Sequence, residues 1–235
     1  MPTILVTGAN RGLGLEFVRQ YALAGWRVLA TARDLASAPE LQALAAEHTS
    51  VVIAALDVTN EIAIKHLSVT WKDERIDVLL NNAGWLGGRA EQSLDRLDYQ
   101  TFEEVLKTNT FAPLVMAREF LPQVLASEQK KIVVITSGLS SMTNTVRFGN
   151  LYFYRISKAG VNMAMRSLQA DLRDRGVKIG ILAPGMVDTR LLRNSGYEGP
   201  GVIDAPQSVS AVMGHIKNLD QSAELILYTG EQLPW

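Results

Sequence analysis

The chain has 235 residues, a formal net charge of −1 and no cysteine. Near-neutrality argues against nucleic acid or anionic lipid as a partner. Without thiols there is no disulfide, thiolate nucleophile or cysteine-bound zinc, and the 47% apolar content is enough to bury a full core without staples.

Strand-length apolar runs recur along the chain: TILVT (3–7), RVLAT (27–31), VVIAAL (51–56), IDVLL (76–80), KIVVIT (131–136), VKIGIL (177–182) and ELILY (224–228). Most are continuous rather than alternating, as in strands buried on both faces. Helical patterns separate them. The first, over 13–24, carries Leu13, Phe17, Tyr21 and Ala24 on one stripe, and the longest are expected over 101–126 and 154–173. Strand and helix alternate throughout. The spacing therefore predicts an α/β fold: a single-domain Rossmann-type, doubly wound parallel sheet of about seven strands with helices on both faces, spanning 1–235. The Gly/Pro-rich stretch 193–208 is predicted as one long loop and a substrate lid within that domain. MPTILVTGAN lacks the basic start and apolar length of a signal peptide, and no run approaches a membrane span. A cytoplasmic protein without a membrane partner is expected.

TGANRGLG (7–14) follows the first strand and opens the first helix. Gly8, Gly12 and Gly14 suit a tight turn whose backbone N–H groups approach a pyrophosphate at the helix N-terminus. LDVT puts Asp57 and Val58 at the end of the third strand, and LLNNAG puts Asn81, Asn82, Ala83 and Gly84 at the end of the fourth. These carboxyl ends are where ligands bind in such sheets. In NLYFYRISKAG, Tyr154 and Lys158 lie four apart and share a helix face, whereas Tyr152 lies on another. The pair reads either as a surface tyrosine packed on a lysine stem or as an acid/base pair whose ammonium lowers the phenol's pKa. His48, His66 and His215 are scattered, so no metal site is expected.

With TGANRGLG, NNAG, YRISK and APGMVDT in this order, the chain resembles the short-chain dehydrogenase/reductase family over essentially all its length. Its tail LYTGEQLPW and short length are similar to the C-factor and sniffer-type carbonyl reductase branch. The resemblance implies an oxidoreductase that moves hydride between a nicotinamide and a carbonyl or alcohol. Tyr154 would be the general acid/base. Lys158 would lower its pKa and bond the nicotinamide ribose, and Asn109 would organise a water-linked proton path. Three serines compete for the substrate-polarising role: Ser137, Ser140 and Ser141. Ser137 holds the strand-end position, while Ser141 has the commoner spacing to the tyrosine. Sniffer-like chains carry a longer loop here, which selects Ser137. Cofactor contacts are implied for Gly8, Asn10, Arg11, Gly12, Leu13, Gly14, Asp57, Val58, Asn82, Ala83, Gly84, Tyr154 and Lys158. Pro184 and Gly185 would also contact the cofactor, and Val187 and Thr189 would hold the nicotinamide carboxamide.

LATARD ends the second strand with Arg33 ahead of Asp34. Arginine there suits the 2′-phosphate of NADP, a carboxylate the 2′-hydroxyl of NAD. With Arg11 as a second guanidinium, NADP(H) is favoured over NAD(H). Expected pocket walls are Trp85, Met142, Phe148, Tyr152, Met186 and Leu191, so the small-molecule substrate is expected to be an apolar carbonyl or alcohol. The family's helix-mediated assembly implies a homodimer or homotetramer. Ala159, Gly160 and Ala164 would permit it but would serve equally against the sheet. The rival reading is a nucleotide-binding signalling or regulatory protein on the same fold. It has no chemical need for the set Asn109, Ser137, Tyr154 and Lys158.

Overall fold

In the computed structural model, which describes residues 1–147 and 149–235, all seven predicted strands join one parallel sheet. Phe148, expected in the pocket wall, lies outside the described residues. The first half runs β1 (Thr3–Thr7), α1 (Gly12–Leu23), β2 (Arg27–Ala32), α2 (Pro39–Glu47), β3 (Val51–Ala55), α3 (Glu61–Thr70) and β4 (Val78–Asn81). A small hairpin of β5 (Gln92–Ser93) and β6 (Arg96–Leu97) leads to α4 (Tyr99–Leu106), a π-helical turn (Lys107–Phe111) and α5 (Ala112–Leu125). Then come β7 (Lys131–Ile135), two 3₁₀ turns (Gly138–Ser140 and Thr143–Arg147) and α6 (Tyr152–Leu172). The chain continues through β8 (Lys178–Ala183), β9 (Met186–Val187), α7 (Arg190–Asn194), β10 (Val202–Ile203), α8 (Ala205–Lys217) and β11 (Leu225–Leu227).

The sheet order is β11-β8-β7-β4-β1-β2-β3. From β1 the chain steps outward to β2 and β3, then returns to β4 on the other side of β1. The carboxyl ends of β1 and β4 therefore flank the topological switch point, where a crevice opens. Side chains alternate between two cores. Ile4 and Val6 face the core built with α1, α2 and α8. Leu5 faces the core built with α3, α5 and α6. The central strands β1, β4 and β7 are buried at every position, as their continuous apolar runs predict. β3 is not, because it pairs only with β2 and forms the sheet edge.

The helix predicted over 101–126 divides at the π-helical turn around Asn109. Pro113 has no N–H for the carbonyl four residues back, which is Asn109's own, so α-helical bonding breaks there. The loop predicted over 193–208 is also shorter than expected. Its start belongs to α7, Val202 and Ile203 pair with Met186 and Val187, and Asp204 caps α8 through Gln207 N at 2.7 Å. Only 195–201 is irregular. After β11 the chain reverses, and Leu233 N donates to Leu225 O at 2.8 Å. The Trp235 main-chain oxygen accepts from both Thr143 N (3.0 Å) and Thr143 Oγ1 (2.8 Å). Among the described residues, no helix is long and apolar enough to cross a membrane.

Candidate active site

The glycine turn is built from backbone. Gly8 and Gly12 have φ of 67° and 55°, a region glycine enters without penalty. A Cβ on Gly14 would strike the Gly8 carbonyl and the Asn82 amide, so α1 can start this close to the turn only with glycine there. The Thr7 hydroxyl accepts from Asn82 N and Ala83 N, both at 3.1 Å. Asn82 Nδ2 donates in return to Thr7 O (2.9 Å) and Gly8 O (3.1 Å). The ends of β1 and β4 are thus stitched together under the crevice. α1 has no side-chain cap and no acidic residue in its first turn, so its first N–H groups and dipole favour an anion.

Arg11 and Arg33 are exposed beside that turn, and neither makes an ion pair among the described residues. Asp34 Oδ1 accepts from Ala36 N at 2.9 Å, which ties its carboxylate to its own loop. Asp57 Oδ1 accepts from Thr59 N (2.9 Å) and Thr59 Oγ1 (2.7 Å). Beyond β8, Pro184 O accepts from Ser208 Oγ at 2.7 Å. A side chain on Gly185 (φ 85°) would meet the Tyr228 ring. Thr189 caps α7, and its methyl lies 3.4 Å from where a Gly12 Cβ would stand. The glycine turn and the 184–189 segment therefore border one crevice, an arrangement that fits a dinucleotide.

The second half of the site is built from side chains. α6 starts at Tyr152, two residues before the predicted start. Tyr154 is 6% exposed and Tyr152 37%, as their helical phases require. Lys158, 4% exposed, donates from Nζ to Ile135 O at 2.8 Å and sits 5.7 Å from the Tyr154 ring centroid. Ser137 Oγ accepts from Leu139 N at 3.2 Å, and of the three serines it is the one near enough to the Tyr154 phenol to lower its pKa. Ser140 Oγ is occupied between Ser137 O (2.6 Å) and Asn162 Nδ2 (2.8 Å), and Ser141 Oγ accepts from Asn144 N at 3.2 Å. Asn109 is buried. Its Oδ1 accepts from Trp85 N at 2.8 Å, and its Nδ2 donates to Trp85 O (2.8 Å) and Ser157 Oγ (3.0 Å). Gly84 lies against both Asn109 and Lys158.

Burial governs the charges here. It pushes the Tyr154 phenol up to about 12, with the Ser137 hydroxyl opposing, and the Lys158 ammonium down to about 8. The lowered phenol implied by the resemblance is therefore not produced by these side chains alone.

Trp85, Tyr152, Met142 and Met186 are exposed, and Leu191 and Leu139 pack against a cluster of Leu86, Leu151 and Tyr154. Several residues escaped the sequence reading. Thr7 joins the turn to β4. Thr136 bonds Asn162 at 2.7 Å and so ties β7 to α6, and Gln92 reaches the start of α6. The position of Thr7, just before the glycines, was the one available signal. Gln92 and Asn162 carry none, because their partners are distant in sequence. Gly160 packs on Thr110 of the same chain.

The family model for short chain dehydrogenases matches residues 2–198. The NADPH-bound carbonyl reductase from chicken fatty liver superposes with a TM-score of 0.91 at 31% identity, covering 100% of this chain and 99% of the other. The carbonyl reductase Sniffer of D. melanogaster superposes at 0.87 with 30% identity, covering 100% of both chains. C-signal of Myxococcus xanthus is 32% identical over 163 residues, 68% of this chain and 93% of that protein. Motifs, sheet order and these similarities converge, and the chain belongs to the short-chain dehydrogenase family.

Proposed function

We propose that the protein is an NADP(H)-dependent oxidoreductase interconverting an apolar carbonyl compound and its alcohol, with Tyr154 as general acid/base. The observation that carries this reading is the convergence of Ser137 and Lys158 on the Tyr154 side chain, beside the crevice bordered by the glycine turn. The chicken reductase, whose structure is NADPH-bound, supports the cofactor, as do Arg11 and Arg33 and the self-engaged Asp34.

Bound NADPH would supply the hydride with its electron pair to the carbonyl carbon. Ser137 Oγ–H polarises the carbonyl oxygen. Tyr154 gives that oxygen its phenolic proton, and the C=O becomes C–OH. The Lys158 ammonium stabilises the phenolate left behind and faces Asn109 across Gly84, where a water can return the proton. The apolar side chains of Leu86, Leu139 and Leu191 exclude bulk water from the phenol.

We further propose that residues 195–201 form the substrate lid, since Arg89, one residue after the 86–88 loop, lies against Gly196. Slower hydrogen exchange over 195–201 on adding NADPH and substrate is expected. Equal exchange with and without them removes the lid.

The similarity to C-signal favours one rival, a regulator that binds the nucleotide without turnover. A panel of aromatic and aliphatic aldehydes and ketones, followed by NADPH absorbance, separates the two. Turnover of apolar members is expected. Tight NADPH binding with no turnover of any member would overturn the oxidoreductase reading.

A further inference from the structure

Gln92 is fully buried although it lies in a two-residue strand of the hairpin before α4. A buried amide needs partners for its oxygen and its nitrogen, and Gln92 has three. Nε2 donates to Leu86 O (2.7 Å) and Gly88 O (3.1 Å), and Oε1 accepts from Tyr154 N (3.0 Å). Two main-chain carbonyls on one side and an N–H on the other fix which way the amide points.

The Tyr154 N–H is one of the donors at the start of α6, and that helix has no cap of its own. Leu151 sits there in the left-handed region (φ 55°) with no side-chain hydrogen bond to the helix. The cap therefore comes from 62 residues upstream. The same amide holds the 86–88 loop, whose Leu86 packs on Leu151 and Tyr154. One residue before it, Trp85 is clamped by Asn109 through both its N–H and its carbonyl. A side chain on Gly87 (φ 75°) would stand 3.1 Å from Gln92 Nε2 and 2.9 Å from Val105, so the loop backbone runs this close to the amide only with glycine there. Gln92 thus bridges the tyrosine's own backbone and the loop that walls the phenol.

We infer that Gln92 is a positioning residue for Tyr154: it caps the helix turn that carries the phenol and locks that turn to the 86–88 loop. The inference rests on Tyr154 being the acid. Its predicted signature is a loss of turnover without a loss of cofactor. Misplacement by about 1 Å costs on the order of 100-fold in rate, so Gln92→Leu should lower kcat by roughly 10- to 100-fold. The dissociation constant for NADPH should stay within about twofold, since no Gln92 contact reaches the glycine turn.

The test uses 4-nitrobenzaldehyde and NADPH for kcat and KM, NADPH fluorescence for binding, and site-resolved hydrogen exchange on the cofactor-free protein. The Tyr154 amide should exchange about tenfold faster in Gln92→Leu, the size expected for one lost hydrogen bond. Gln92→Glu keeps an oxygen facing that N–H and, protonated, one O–H for the Leu86 and Gly88 carbonyls, so it should recover part of the slow exchange. If Gln92→Leu does not fold, the same measurements are made on Gln92→Met, whose unbranched chain fits the same slot. Unchanged kcat in a folded variant overturns the proposal. So does a parallel loss of kcat, NADPH binding and thermal stability, which marks a merely structural residue. If the parent is inert toward every carbonyl tested, the oxidoreductase reading fails, and exchange at Tyr154 still decides whether Gln92 caps it.

Discussion

The glycine turn and the tyrosine seat lie at the same edge of one sheet but are held by different means. The turn depends on what is missing: no Cβ on Gly14, positive φ at Gly8 and Gly12, no cap on α1. The seat depends on what is supplied from afar: Gln92 to Tyr154 N, Ser137 to the Tyr154 side chain, and Asn109 to Trp85 and Ser157. A site made of backbone is specified by a short local sequence. A site made of converging side chains is specified by the whole fold. The turn should therefore fail through backbone clash and lost cofactor affinity, and the seat through lost turnover.

The largest effect is expected at the seat. Tyr154→Phe removes one hydroxyl and should lower turnover by about 10²–10⁴-fold while NADPH affinity holds. Tyr152→Phe should stay within a few-fold of the parent, and steady-state reduction by both variants measures the difference. Next comes Arg33→Ala. A charge-assisted hydrogen bond to phosphate contributes about 1.5–3 kcal/mol, so NADPH should bind roughly 10- to 100-fold more weakly, with NADH nearly unchanged. Fluorescence titration of both cofactors checks this, and equal losses would remove the NADP preference. Gly14→Ala forces a methyl into the Gly8 carbonyl and should cost about 1–3 kcal/mol of stability, together with cofactor affinity.

The smallest predicted effect has the opposite sign. Lys158 has a folded pKa of about 8 against an unfolded value of 10.5. Between those values the unfolded chain holds a proton the folded chain has released, so stability rises with pH. Below 8 the penalty is complete, roughly 3 kcal/mol. Tyr154, raised to about 12, acts in reverse above its unfolded value of 10. The cofactor-free protein should therefore gain stability from pH 8 to about 10. Lys158→Met should flatten that rise and raise stability at pH 7 by about 1–2 kcal/mol, the orphaned Ile135 carbonyl offsetting part of the gain. Denaturant unfolding across this range measures both, and a less stable Lys158→Met at pH 7 contradicts the assignment.

The sheet was legible because each strand is a short apolar run and each connection a helical one, a pattern that leaves few topologies. The turn was legible for the same local reason. Tyr154 over Tyr152 could be read from helical phase alone. Ser137 over Ser141 could not, because the choice depends on how the two 3₁₀ turns after β7 fold, and there each hydroxyl accepts one backbone N–H at 3.2 Å, Ser137 from Leu139 and Ser141 from Asn144. Gln92 was invisible: a glutamine in a polar segment resembles any surface residue until its partners are known. The break at Asn109 had a local signal, Pro113, outweighed by the long apolar stripe around it. The 193–208 segment looked structureless because its two ordering contacts, the β9–β10 pairing and the Asp204 cap, involve too few residues to form a pattern.

The π-helical turn at Lys107–Phe111 makes chain length itself a functional variable. Such a turn holds one residue more than an α-helical turn. Deleting a single residue from it would let α4 and α5 fuse into one regular helix. The fused helix would turn α4 by about 100° and draw it in by about 1.5 Å relative to α5. Phe102, whose ring packs edge-on against Phe153 at 5.3 Å, would leave its partner, and Asn109 would lose its grip on Trp85. By count this removes one residue in 235, yet it would shift α4 against α5 as a body, whereas a substitution that keeps the turn leaves both helices in place.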